Sequence, residues 1–187
     1  TTPGLNFKNR DSHFIFGDVA TAAILEPETT CTSDSAFRIL GTKQMTQYSD
    51  NIRSDASYAD YCFEDLPEDR PFFQQQGRKV FKELLPLIVK FISEQLEESD
   101  MKAEELKRMW LHQANINMNN FVAKKVLGRE PIDNEAPIIL DKFANTASAG
   151  SIIAFHLNHQ DMIAGDKALI CSFGAGYSAG CLVIEHL

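Results

Sequence analysis

Residues 108–113 read RMWLHQ and run into ANINMNNFVAKKVLG at 114–128; residues 136–140 read APIIL and run into DKFANTAS at 141–148, then a stretch from Ala149 to about His159. One pattern is written twice. A short apolar run that suits a buried strand leads into a polar loop, and the loop into a segment with its apolar residues on one helical face. Met118, Phe121, Val122 and Val126 share such a face, and Gly128 stands where a left-handed C-cap belongs. Strands alternating with helices predict an α/β sheet.

Upstream, Val80, Phe81, Leu84, Leu85, Ile88, Phe91, Ile92 and Leu96 recur at helical spacing from Gly77 onward, which predicts one long amphipathic helix, kinked at Pro86. A short charged helix over 102–107 links it to the first strand. Downstream, ALICSF and CLVIEHL predict two strands joined by GAGYSAG. No helix follows these glycines, so the run is not a dinucleotide fingerprint, whose Gly-rich turn must open a helix onto the pyrophosphate. Gly174, Gly176 and Gly180 instead predict a tight hairpin that permits close backbone approach. Nearer the start, residues 13–26 suit a strand, a turn and a second strand ending at Pro27. Residues 28–35 suit a loop, 36–47 a strand, and 49–70 an acidic, turn-rich excursion.

The chain of 187 residues is 44% hydrophobic, enough for one sizeable core, either as one domain or as a piece of something larger. A net charge of −8 argues against nucleic acid, because nothing would draw counterions off a phosphate backbone. No apolar run approaches the roughly 20 residues that span a bilayer, and the first residues have no signal-peptide layout. Cys31, Cys62, Cys171 and Cys181 form no C-x-x-C pair, which fits a reducing cytoplasm and gives no zinc or redox motif. His156 and His159 sit one turn apart, but no acidic or thiol neighbour completes a set, and they read as helix-surface residues. No metal site is expected.

Two loops leaving strands on the same expected sheet edge carry polar residues that turn chemistry does not require: His112 in WLHQAN and Asn145 in FANTASAG. Ligands of open α/β sheets collect at loops beyond the carboxyl ends of the strands, so both residues are expected to face one pocket. Taken singly, each is more commonly structural, since Asn favours turns and a histidine near a core is usually just hydrogen-bonded. The pair, with the terminal glycine-rich hairpin, points to a site.

Leu111-His112-Gln113-Ala114-Asn115 resembles the H-Q-A-N motif of condensing enzymes of the β-ketoacyl-acyl-carrier-protein synthase III type, and Asn145-Thr146-Ala147-Ser148 resembles their N-T-S motif. Phe173-Gly174-Ala175-Gly176 is similar to their closing G-F-G-x-G loop. Gly77-Arg78-Lys79-Val80-Phe81 is similar to the G-x-x-V-F that opens a helix beside the pantetheine tunnel, and Phe16-Gly17-Asp18 to the F-G-D of the last N-terminal strand. The motifs occur in family order. This resemblance implies a thiolase-like duplicated α/β sandwich, with residues 1–30 as the last strands of the N-terminal half and residues 31–187 as the C-terminal half.

The resemblance also implies a decarboxylative Claisen condensation of an acyl thioester with malonyl-ACP, as in fatty acid biosynthesis. The family nucleophile is a Cys of the N-terminal half, which takes the acyl group from coenzyme A or a carrier protein. That stretch would precede Thr1. Cys31 and Cys62 lie in polar loop sequence and Cys171 and Cys181 in terminal strands, so none of the four fits. His112 and Asn145 are expected to donate to the malonyl thioester oxygen as charge grows on it during loss of carbon dioxide. A backbone N–H at Ala175 is expected in the oxyanion hole of the acyl-Cys, with Phe173 walling the site. Gly77, Arg78 and Phe81 are expected to border the pantetheine channel, and Asn115 either to bond the amides of that arm or to fix its own loop.

Asn117 stands where many of these enzymes carry an Arg that helps dock the acidic carrier protein, and Val19 and Thr21 replace glycines near the acyl pocket. The resemblance implies no cofactor beyond coenzyme A or phosphopantetheine thioesters as substrates. Expected partners are acyl carrier protein, the Cys-bearing half and a second copy in a homodimer, and the isolated chain is expected to be inactive. Two other readings are a non-decarboxylating acyltransferase of the same fold and a non-catalytic partner subunit. The His112 and Asn145 pair favours the decarboxylating enzyme, since a scaffold has no use for two polar groups aimed at one point.

Overall fold

The computed structural model describes residues 14–54, 62 and 73–187. Its strands are β1 (Phe37–Ser49), β2 (Ile52–Ser54), β3 (Phe73–Gln75), β4 (Leu106–Leu111), β5 (Lys167–Gly174) and β6 (Gly176–His186). The main sheet has the order β1-β6-β5-β4, and β2 pairs with β3 in a separate small ribbon. β4 and β5 are parallel, as expected of strands joined through a helix, whereas β6 runs antiparallel to both β5 and β1. The predicted terminal hairpin is present, with Ala175 alone between β5 and β6.

Helices cover both faces of this sheet, and the strand residues divide between them with period 2. Met109, Leu111, Leu169, Cys171, Phe173, Cys181 and Val183 face one core, which is closed by α1 (Gly77–Glu98) and α2 (Ile116–Leu127). Trp110, Ala168, Ile170 and Ile184 face the other, against Ile153 and Ala154 of α4 (Ala149–Leu157). Burial on both faces is why β4 and β5 read as nearly continuous apolar runs. α1 continues through Pro86 and buries Val80, Leu84, Leu85, Ile88, Phe91, Ile92 and Leu96 as the spacing predicts. Phe81 is the exception, standing at the surface beside Phe121 with ring centroids 5.9 Å apart. α2 starts at an Asn115 cap, whose side chain accepts from Asn117 N at 2.8 Å, and ends at Gly128 with φ 69°.

Four local expectations are corrected. Residues 136–140 form no strand: their backbone is held by the Gln113 side chain, which accepts from Ile139 N at 3.1 Å and donates to Pro137 O at 3.3 Å. Pro137 has no N–H to give a ladder, so a side chain takes the place of a neighbouring strand. The loop expected over 141–148 begins inside a single helical turn, α3 (Leu140–Phe143). In the predicted strand, turn and strand over 13–26, residues 14–26 contribute only one isolated parallel bridge, between Phe16 and Asn145. No described strand lies alongside to pair with them, and Ile24 and Leu25 are 91% and 79% exposed. The charged helix of 102–107 is a 3-10 turn at Ala103–Glu105, and most of the 49–70 excursion lies outside the described residues. No described helix is long and apolar enough to cross a membrane.

Candidate functional site

His112 is the first residue after β4, and the parallel register between β4 and β5 sets its surroundings. Leu111 pairs with Cys171, so the next residues, His112 and Ser172, stand side by side at the carboxyl edge of the sheet. Ser172 Oγ lies 3.3 Å from His112 Nδ1, and the Phe173 ring packs against the imidazole at 4.9 Å. Only 7% of His112 is exposed. Burial drives its pKa down to about 4, against the Ala147 backbone, which acts the other way, so the ring is neutral at physiological pH.

Asn145 lies on the segment between α3 and α4. Its backbone is fixed by the N-terminal segment: Asn145 N donates to Ile15 O at 3.1 Å and Gly17 N to Asn145 O at 2.9 Å. Ala144 and Ala147 flank it at φ 55° and 54°, in the left-handed region that disfavours a Cβ, which is the kind of local strain that collects at functional loops. Asn145 Oδ1 accepts from Ala147 N at 2.9 Å. Its Nδ2 has no partner among the described residues. The two loops are locked together by Gly150, where a Cβ would come within 3.0 Å of Gln113 Cβ, and by Gln113 and Asn119 beneath them. With its amide turned to suit its neighbours, Asn119 donates to His112 O at 2.8 Å and accepts from Gln113 Nε2 at 3.1 Å.

His112 and Asn145 line one cavity of about 1040 Å³. Gly77, Phe81, Asn115, Phe173 and Ala175 line it too, so the structure brings together seven of the eight residues singled out in the sequence. Arg78 is not among them; one position further along α1 than Gly77, it is exposed outside the cavity. Asn115 Oδ1 is engaged in capping α2, which is the loop-fixing alternative for that residue. At Gly77 a Cβ would meet no described atom within 4 Å, so protein packing does not itself require glycine there. Asn117 lies at the cavity wall, and Thr21 lines an adjoining cavity of about 420 Å³ that shares Ser148, Ser172 and Gly180 with the larger one.

Sequence reasoning missed Ser172, Ser148 and the roof supplied by Ile52 and Phe73 of the β2–β3 ribbon. Ser172 was within reach, because pairing LKRMWL in parallel with KALICSF puts it level with His112. The ribbon was not, since its two strands are three residues each and far apart in sequence. Two of the four cysteines are enclosed in the sheet. Cys171 and Cys181 are buried register partners, and the hydrogen bond between their thiols, then burial, pushes the Cys171 thiol well above its ordinary pKa. A thiol kept protonated in a strand is no nucleophile. His159 is not a helix-surface residue but lies past the end of α4, with Nδ1 3.0 Å from Phe155 O.

Residues 96–186 match the family described as 3-oxoacyl-[acyl-carrier-protein (ACP)] synthase III C terminal. The chain is 45% identical over 185 residues to a β-ketodecanoyl-[acyl-carrier-protein] synthase of Pseudomonas aeruginosa, covering 98% of this chain and 53% of that protein. It is 30% identical over 192 residues to a β-ketoacyl-[acyl-carrier-protein] synthase III of Clostridium kluyveri, covering 97% and 54%. The crystal structure of a β-ketoacyl-[acyl-carrier-protein] synthase III from Thermus thermophilus superposes with a TM-score of 0.70 at 20% identity, over 97% of this chain and 55% of that one. The chain spans about half the length of the curated relatives it matches. The thiolase-type α/β fold and the match across 96–186 agree on the same half, and the chain belongs to the 3-oxoacyl-[acyl-carrier-protein] synthase III family as its C-terminal part.

Proposed function

We propose that this chain supplies the decarboxylating half of a β-ketoacyl-thioester synthase, with the nucleophilic Cys contributed by an N-terminal half. One observation carries the reading: a buried, neutral His112 and an Asn145 amide with an unengaged donor line the same cavity from two separate loops. A neutral imidazole N–H and an amide N–H are matched to a thioester carbonyl whose oxygen becomes negative. The Cys thiolate attacks the acyl thioester, the C–S bond to the carrier breaks, and the carrier leaves as a thiolate that takes a proton from water. Malonyl-ACP then enters with its thioester oxygen between His112 and Asn145. The bond to its carboxylate breaks, carbon dioxide departs, and the electron pair becomes an enolate held by the two donors. The enolate carbon attacks the acyl-Cys, the S–C bond breaks, and the thiolate is regenerated.

Within this reading Gly77 and Phe81 border the pantetheine arm, Phe173 keeps the imidazole dry, and the backbone N–H of Ala175 takes part in the oxyanion hole of the acyl-Cys. Residues 1–30 belong with the N-terminal half, which fits the exposed apolar side chains of Phe14, Ile24 and Leu25. Acyl carrier protein and a second copy of the complete protein are the partners, and a thioester of coenzyme A or ACP is the acyl donor. Similarity to the Pseudomonas β-ketodecanoyl-[acyl-carrier-protein] synthase extends the product class to medium-chain β-ketoacyl thioesters. The isolated chain has no turnover. In the complete protein, His112→Ala and Asn145→Ala should each suppress carbon dioxide release from malonyl thioester while the Cys still becomes acylated. Normal release from either variant would remove that residue from the mechanism.

A further inference from the structure

We propose that Ser172 is a positioning residue for His112: its hydroxyl donates to Nδ1 and thereby fixes the ring proton on Nε2. The inference rests on the reading of His112 as a hydrogen-bond donor to substrate. Ser172 Oγ lies 3.3 Å from Nδ1, and no other acceptor among the described residues takes the Ser172 hydroxyl. The serine is carried by β5 and the histidine by the end of β4, adjacent strands whose parallel register stops at Leu111 and Cys171, so the two side chains are presented at the same level of the sheet edge. Both line the larger cavity.

Tautomer matters at this position because a neutral imidazole has one N–H and one lone pair. With the lone pair on Nδ1 taken by the hydroxyl, Nε2 is the only ring donor. With the roles reversed, Nε2 would present a lone pair and repel a developing oxyanion instead of stabilising it. The depressed basicity of the buried ring strengthens the requirement, since full protonation is not available at neutral pH to supply both N–H groups. Phe173, packed at 4.9 Å, restrains the ring plane but carries no hydrogen-bonding group, and the other polar group that acts on the ring is the Ala147 backbone, so Ser172 is the side chain placed to choose between the tautomers.

The test uses the complete protein with nitrogen-15 histidine, in wild type, Ser172→Ala and Ser172→Thr. Long-range proton–nitrogen spectra should show His112 of the wild type protonated on Nε2 and bare on Nδ1. Ser172→Ala should mix the tautomers and slow carbon dioxide release about three- to tenfold, the worth of one neutral hydrogen bond. Ser172→Thr, which keeps the hydroxyl, should restore both. A wild-type ring protonated on Nδ1, or a Ser172→Ala protein with an unmixed tautomer and full release, would overturn the inference. The spectra do not depend on turnover, so a failure of His112 as donor to substrate, seen as normal release from His112→Ala, is told apart from a failure of Ser172 as its positioner.

Discussion

Asn145 Oδ1 accepts the backbone N–H of Ala147 at 2.9 Å, and this one contact divides the amide into a structural end and a chemical end. The oxygen holds a turn in which Ala147 sits at φ 54°, and Nδ2 is left without a described partner. The division makes Asn145→Asp more informative than truncation. An aspartate keeps the acceptor for Ala147 and so the loop, but presents negative oxygen where the proposed mechanism needs a donor. We expect carbon dioxide release to fall by about 10²–10³-fold, the usual cost of one oxyanion donor. The melting temperature should stay near wild type, which separates loss of chemistry from loss of fold.

Gly17 is where the N-terminal segment meets the Asn145 loop. Its N–H donates to Asn145 O, and a Cβ on it would lie 2.2 Å from the backbone oxygen of Phe143, too close to be absorbed by a rotamer change. Gly17→Ala should therefore push the segment off the loop, break the bridge of Phe16 to Asn145 and lower decarboxylation, although neither the donor nor the nucleophile has been altered. Wild-type activity in this variant would mean that the bridge does not position Asn145.

How far the sequence reaches can be judged from these same residues. The first strand and helix pair, the helix of the second, the long helix at Gly77 and the closing hairpin were legible because burial on one or two faces leaves a period that survives in a single sequence. His112 was legible because it follows a true strand at the sheet edge; Asn145 was singled out for the same reason, but the run before it is no strand, and it reaches the cavity from the segment between α3 and α4. The bridge at Phe16, the single turn at Leu140–Phe143 and the small β2–β3 ribbon were not, since each depends on contacts made far along the chain and leaves no period. Residues 136–140 misled for a definite reason. An apolar, β-branched run looks like a strand whether its hydrogen bonds go to a neighbouring strand or, as here, to the Gln113 side chain.

Gln113 should accordingly be a stability residue, although it lies inside the H-Q-A-N run. It is fully buried, donates to Leu111 O at 2.9 Å and to Pro137 O at 3.3 Å, and accepts from Ile139 N at 3.1 Å. Gln113→Ala leaves these backbone groups unpaired and opens a void, which should cost about 2–3 kcal/mol. Urea unfolding followed by circular dichroism measures it. A loss below about 0.5 kcal/mol, within the range of surface substitutions, would show that water replaces the side chain without penalty.

The buried imidazole of His112 makes an acid-side prediction for stability. Burial holds its pKa at about 4 in the folded protein, against an ordinary value of 6.5. Between those values the unfolded chain binds a proton that the folded one refuses, so stability rises with pH across that window. The contribution is fully present above pH 6.5 and is lost as pH falls toward 4; below that both states are protonated and no more is lost. The whole window corresponds to about 3 kcal/mol, taking 1.36 kcal/mol for each unit of pKa difference. Replacing His112 with Phe removes the titration while filling the same space, so the stability difference between wild type and His112→Phe should change by this amount between pH 6.5 and 4 and stay level from 7 to 8. Unfolding curves at half-unit pH intervals would measure the difference. A flat difference across the acid window would mean that the imidazole is reached by water and titrates normally.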